Sequence, residues 1–150
     1  MKIEKVSEEI VSDLFIKGLD CSQIILGYAA DRVGLSSEDA LKVSSAFGGG
    51  MWCGRTCGCV TGALMALGMK DGHYREADMT ERKNAIIAKR AEFEQKFAAE
   101  HGSVICKDIL KYDLSKPEDF EQVIEKNLFF TLCTKVVTSA SKILDKMISD

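Results

Sequence analysis

Apolar residues recur along most of the chain at the three- and four-residue spacing of amphipathic helices. Residues that favour helix starts stand at Ser7, Asp20 and Ser36, and glycines that favour helix ends stand at Gly18 and Gly34. The pattern predicts helical segments over residues 7–18, 21–33, 36–47, 57–69, 80–100, 103–110, 117–124 and 128–148. No stretch alternates like a strand bounded by hairpin turns. We therefore expect an all-α fold.

The two longest predicted helices differ in their apolar faces. The segment 80–100 is charged and should present a solvated face of lysines and glutamates. Its thin apolar stripe consists of Ile86, Ile87, Phe93 and Phe97. The stripe of the last segment consists of Phe129, Cys133, Val136, Ala140, Ile143 and Met147. Because the chain has 150 residues and no repeat or linker, we predict one compact helical bundle with a glycine-rich cysteine loop, a single domain over 1–150.

Composition and charge narrow the choice of partners and compartment. Hydrophobic residues make up 46% of the chain, enough for a real core, and the formal net charge is −3 with no long basic run. We therefore expect no nucleic-acid partner. No apolar stretch approaches the roughly 20 residues that span a bilayer. Alternating charges fill the first positions, where a signal peptide would be apolar. We expect a cytoplasmic protein without membrane insertion.

This expectation changes how the six cysteines are interpreted. The cytosol keeps thiols reduced, so structural disulfides are disfavoured, and metal ligation, redox chemistry or simple burial remain. Cys53, Cys57 and Cys59 follow the glycine run 48–50 in a segment flexible enough to wrap an inorganic centre. The chain contains no Cys-x-x-Cys, which argues against a thioredoxin-type pair, a covalent haem site and a paired-knuckle zinc site.

The predicted helix starts add to this signal. Cys21, Cys57 and Cys106 are each expected in the first turn of a helix, where free backbone N–H groups stabilise a thiolate. Cys133 instead faces inward from the middle of the last helix. The alternative is that the cysteines pack as small hydrophobic residues. That alternative is weaker for the loop cluster, since glycine-rich loops bury little apolar surface.

Two aromatic residues and two histidines complete the list of candidates. Phe47 and Trp52 flank the glycine run and could either shield a cofactor from water or anchor the core. His73 and His101 have polar neighbours, and we expect both at the surface rather than among ligands.

The order of these features resembles one bacterial and archaeal family. The order is Cys21, then Phe-Gly-Gly-Gly-Met at 47–51, Cys-Gly-Cys-Val-Thr-Gly-Ala-Leu at 57–64, Gly-Ser-Val-Ile-Cys at 102–106, and finally Cys133. It is similar to the C-GCAxxG-C-C family of redox-active proteins, which is named for its cysteines. The resemblance covers nearly the whole chain, and its motifs are specific in combination.

The resemblance implies a small helical protein with a redox role and no assigned reaction. The family's signature cysteines fall on Cys21, Cys57, Cys106 and Cys133. A related cysteine-bearing domain occurs in split-Soret cytochromes, which hold a two-iron, two-sulfur cluster beside their haems. Four thiolates are the usual ligands of such a cluster. The resemblance therefore implies that these four cysteines are ligands.

The chain departs from the family pattern at two cysteines. Cys59 stands where the family usually has alanine, and Cys53 is additional. Each could replace a ligand, resolve a disulfide or do neither.

Four hypotheses follow. The first is an iron–sulfur protein with a 2Fe–2S cluster on the four signature cysteines, serving electron transfer or redox sensing. The second is a metal-free thiol–disulfide oxidoreductase in which Cys57 attacks and Cys53 or Cys59 resolves. The third is a zinc-binding module, since four thiolates also suit tetrahedral zinc. The fourth is a helical protein whose cysteines are only buried. The sequence assigns no catalytic residue under the first hypothesis, identifies no redox partner and leaves a homodimer open.

Overall fold

The computed structural model describes residues 1–149 and confirms the all-α prediction. Within these residues no β-strand forms, and an isolated antiparallel bridge joins Thr56 to Ile105. The helices are α1 Glu8–Ile16, α2 Cys21–Ala29, α3 Ser37–Val43, α4 Gly58–Asp71, α5 Met79–His101, α6 Cys106–Leu110, α7 Pro117–Glu125 and α8 Thr134–Ile148. Short 3₁₀ turns occupy Ala30–Val33 and Glu76–Asp78, and wide π-type turns occupy Gly50–Gly54 and Phe129–Cys133.

The predicted caps hold the N-terminal helices. Ser7 Oγ accepts the Ile10 N–H at 3.2 Å, and Ser36 Oγ accepts the Asp39 N–H at 3.1 Å. The segment predicted over 21–33 is helical throughout, but its last turn tightens to 3₁₀ before Gly34. Helix α3 is shorter than the predicted 36–47, because it ends at Val43 and the chain turns toward the glycine run.

Helices α2, α4 and α8 form the centre of the bundle, and α5 packs across them. The tightest crossing is between α2 and α4. A methyl group on Gly62 would lie 2.7 Å from the Ser22 carbonyl oxygen, so only glycine permits this approach. From α5, Phe93 and Phe97 are fully buried, as the stripe predicted. Ile87, predicted as part of that stripe, is instead 48% exposed.

His101 also differs from the prediction. It is half-buried rather than at the surface, because its ring packs on Phe97 with 4.6 Å between centroids and Nε2 lies 3.0 Å from Ser139 Oγ. The contact with Ser139 attaches the end of α5 to α8. His73 is exposed, as expected.

A smaller apolar cluster forms where α6 and α7 meet the turn before α8. Leu110, Leu114 and Val123 are buried there together with Cys106. Two backbone hydrogen bonds attach this cluster to the start of α4. The Cys57 N–H donates to the Val104 oxygen at 2.8 Å, and the Cys106 N–H donates to the Arg55 oxygen at 2.6 Å. The bonds bring two cysteines that are distant in sequence to the same region.

Candidate functional site

Five of the six cysteines line one cavity of about 220 Å³. The cavity lies between the starts of α2, α4 and α6 and the turn that leads into α8. Its remaining wall is mostly apolar and aromatic. The lining cysteines are Cys21, Cys57, Cys59, Cys106 and Cys133. The four cysteines that the family resemblance singled out are all among them.

The crossing of α2 and α4 positions Cys21. Cys21 is the first residue of α2, as predicted, and Gln23 Oε1 accepts the Asp20 N–H at 2.9 Å to hold the helix start. The sulfur points at Gly58, where an added methyl group would lie 2.4 Å from Sγ. A side chain at position 58 would therefore displace this thiol.

Cys57 and Cys59 come from the start of α4. Cys57 is the N-cap residue of α4, one position before the predicted first turn. Thr56, predicted as the cap, instead pairs with Ile105 in the β-bridge. Both cysteines are buried. Their thiols donate hydrogen bonds to the sulfur of Cys21.

These hydrogen bonds determine which of the three thiols ionises first. The pKa of Cys21 lies well below its usual value, because the Cys57 and Cys59 thiols donate to its sulfur and the N–H groups of Gly49 and Ser22 also point at it. The pKa values of Cys57 and Cys59 are raised, because ionising either thiol removes its hydrogen bond to Cys21. The interactions within the trio therefore favour ionisation of Cys21 over that of Cys57 and Cys59.

Cys106 and Cys133 are held as neutral thiols. Burial, followed by the negative charge of Cys21, raises the pKa of Cys106 to about 12. Burial also raises the pKa of Cys133, and Cys21 and Cys106 add to the effect. Because neither thiol ionises at neutral pH by itself, each is inert as a nucleophile unless a bound cation displaces its proton.

The glycine run forms an ordered left-handed turn, where the sequence predicted a flexible loop. Gly49, Gly50, Met51 and Trp52 have φ values of 58°, 62°, 60° and 55° in succession. Left-handed backbone costs about 1–2 kcal/mol for each residue with a side chain, so four in a row are unusual. The turn directs the Gly49 N–H at the Cys21 sulfur. Sequence reasoning could not find it, because Met51 and Trp52 carry no signal for this conformation.

Aromatic rings close the cavity. Trp52 lines it, donates a hydrogen bond to the Asp20 carboxylate and is 41% exposed, so it separates the cavity from solvent rather than anchoring the core. Phe15 and Phe130 meet edge to face at 6.0 Å on another side. Phe129 also lines the cavity. Phe47 is half-buried and contributes its carbonyl oxygen beside Gly58 rather than its ring.

Cys53 does not line the cavity. Its side chain is half-buried, and its thiol donates to the Gly50 carbonyl oxygen at 3.5 Å. In residues 1–149, no three side chains of histidine, cysteine, aspartate or glutamate are arranged as ligands of a single metal ion.

One family model matches the chain. It is described as "Putative redox-active protein (C_GCAxxG_C_C)" and covers residues 19–147. No curated protein and no solved structure matches. Among the helices described for residues 1–149, none has the length and apolarity needed to cross a membrane. The family match spans the four cavity elements and each of their cysteines. The chain belongs to the C_GCAxxG_C_C family.

Proposed function

We propose that the cavity holds a 2Fe–2S cluster for electron transfer or redox sensing, with Cys21, Cys57, Cys106 and Cys133 as its thiolate ligands. The observation that carries the proposal is the meeting of these four thiols, from four separate parts of the chain, on one largely apolar cavity. Four thiolates form the usual ligand set of such a cluster. When bound, the cluster would accept and release single electrons.

The donor set fits this group in its chemistry. Each iron of a 2Fe–2S cluster takes two protein thiolates. Cys21 and Cys57 already touch through a hydrogen bond, and Cys106 lies close enough to Cys133 to affect its pKa. Iron would favour loss of the protons that burial otherwise retains on Cys106 and Cys133. The Gly49 N–H, already directed at Cys21, would hydrogen-bond a ligating sulfur and thereby affect its potential.

Metal and acid-labile sulfide analysis of the native protein, purified without oxygen, tests the proposal. We expect iron and sulfide in equal amounts, about two of each per chain, with the visible absorption of a 2Fe–2S centre. Zinc without sulfide would support the zinc module instead. Protein that contains no iron, and takes up none when supplied with iron and sulfide anaerobically, would contradict the proposal.

A second candidate, thiol–disulfide exchange without metal, is favoured by the hydrogen-bonded trio Cys21, Cys57 and Cys59. The Cys21 thiolate would attack a small-molecule disulfide, form a mixed disulfide and expel one thiolate. Cys57 or Cys59 would then attack the Cys21 sulfur, closing a protein disulfide and releasing the second thiolate. One protein thiolate and one protein thiol are thereby oxidised to a disulfide. The small disulfide is reduced to one thiolate and one thiol, which takes the proton of the resolving cysteine.

The two candidates differ in which cysteines they require. Exchange with oxidised glutathione should survive Cys133→Ala, because Cys133 stands outside the trio, and should stop in Cys21→Ala. Cluster binding should be lost in both variants. Thiol–disulfide exchange is measured by counting free thiols and by mapping disulfides with mass spectrometry after oxidation. Cluster binding is measured as bound iron.

A further inference from the structure

An apolar surface stripe borders the thiol cavity on α7. Phe120 and Ile124 lie one turn apart and are 37% and 55% exposed, while the buried Val123 holds the helix to the body of the protein. The Phe120 ring lies 6.4 Å from that of Trp52 and 6.1 Å from that of Phe129. Both of those rings line the cavity. A row of aromatic side chains therefore leads from the cavity wall to the surface.

An acidic stripe runs beside this apolar stripe. Glu118, Glu121 and Glu125 recur at helical spacing on α7 and are exposed, and the helix contains no lysine or arginine. Within residues 1–149 none of these three carboxylates forms an ion pair. Lysines flank the helix at both ends, Lys116 and Lys126, but in the part of the chain that the structure describes neither forms an ion pair with these carboxylates. The negative charge along α7 can therefore attract groups outside the chain.

From these observations we infer that this surface docks a basic redox protein. The surface, called here the α7 face, consists of Trp52, Glu118, Phe120, Glu121, Ile124 and Glu125. Its partner carries or accepts single electrons and presents an apolar contact patch ringed by lysine and arginine. The inference rests on the proposed redox function, because a partner on the α7 face would contact the cavity wall.

Charge favours this occupant over a second copy of the chain. A two-fold symmetric contact buries the same surface of both copies, so it would bring two acidic stripes into one interface. Like charges across an interface are unfavourable, whereas opposite charges speed encounter and fix orientation. A partner with an apolar patch ringed by basic residues would match both the apolar stripe and the acidic stripe of α7.

Calorimetric titration of the full chain with a basic c-type cytochrome, whose haem edge is ringed by lysines, tests the inference. We expect binding at about 10 mM salt that weakens at least tenfold at about 300 mM salt. The chain's one tryptophan, Trp52, lies in the α7 face, so its fluorescence should be quenched on binding. Neither measurement requires a cluster, so iron analysis of the same sample separates failure of the surface from failure of the proposed function.

Substitutions locate the contact. Changing Glu118, Glu121 and Glu125 together to glutamine should weaken binding about tenfold at low salt and little at high salt. The matched control changes Glu4, Glu76 and Glu81, three exposed carboxylates elsewhere, and should leave affinity within about twofold. Ile124→Ala should weaken binding at both salt concentrations. No binding at low salt, equal losses in test and control variants, or dimerisation of the chain through the α7 face would overturn the inference.

Discussion

At the scale of single residues, glycine determines where the reactive sulfur lies. The Cys21 sulfur can lie against the start of α4 because Gly58 has no side chain, and a methyl group there would lie 2.4 Å from Sγ and 3.0 Å from the Phe47 oxygen. Gly68 lies in the same helix, but nothing lies within 4 Å of the position a methyl group would take. These two glycines of α4 are therefore opposite in packing.

Gly58→Ala should therefore lower the free energy of unfolding by about 1–3 kcal/mol, because the new methyl overpacks the crossing of α2 and α4. Gly68→Ala should raise it by about 0.5–1 kcal/mol, because alanine favours helix and meets no neighbour. Denaturant titration measures both changes. Equal effects of the two substitutions would show that the crossing is looser than described.

At the scale of elements, the left-handed turn is the least expected part of the fold. Sequence reasoning found the helices because caps and apolar spacing are local signals, and it placed Cys21 and Cys106 at helix starts. The turn depends instead on contacts distant in sequence, since Gly49 packs against Leu114, where a methyl group would lie 2.8 Å from that side chain. Such contacts leave no local pattern, so the strained Met51 and Trp52 could not be predicted.

Comparing the stability of Gly50→Ala with that of Gly34→Ala tests how tightly the left-handed turn closes. Both glycines have left-handed φ, 62° and 77°, but only at Gly50 would a methyl group lie close to backbone, 2.5 Å from the Arg55 nitrogen. We expect Gly34→Ala to cost about 1 kcal/mol and Gly50→Ala about 3 kcal/mol or more. Thermal or denaturant unfolding of the two variants gives the comparison. A Gly50 variant as stable as the Gly34 variant would contradict the tight closure of this turn.

The contact between α5 and α8 should make stability depend on pH. Burial lowers the pKa of His101, so the folded protein favours the neutral ring beside Ser139 and the unfolded chain binds a proton more readily. The stabilisation is present above the unfolded pKa and is lost as pH falls through the folded one. The melting temperature should therefore decrease from about pH 7 to pH 5.5, and less steeply in His101→Gln. His73→Gln, at an exposed position, should keep the original slope.

At the scale of the whole molecule, folding gathers thiols that the sequence spreads over more than a hundred residues. Spacing alone identified the cluster at 53–59 but could not connect it to Cys106 or Cys133; that connection came from the family resemblance. In the structure, backbone hydrogen bonds between Arg55, Cys57 and the segment 104–106 connect the cluster to Cys106. Cys133 joins them as a lining residue of the same cavity. It also places Cys59 on the cavity and Cys53 outside its lining, a distinction no local pattern makes.

Anaerobic reconstitution of two matched cysteine variants tests the central claim most directly. Cys106, at the start of α6, lines the cavity, whereas Cys53, in the turn before α4, lies outside the lining. After incubation with iron and sulfide, Cys53→Ala should bind as much iron as the wild type and show the same visible spectrum, while Cys106→Ala should bind little or none. Equal iron in the two variants, or a greater loss in Cys53→Ala, would contradict a centre held by the cavity thiols.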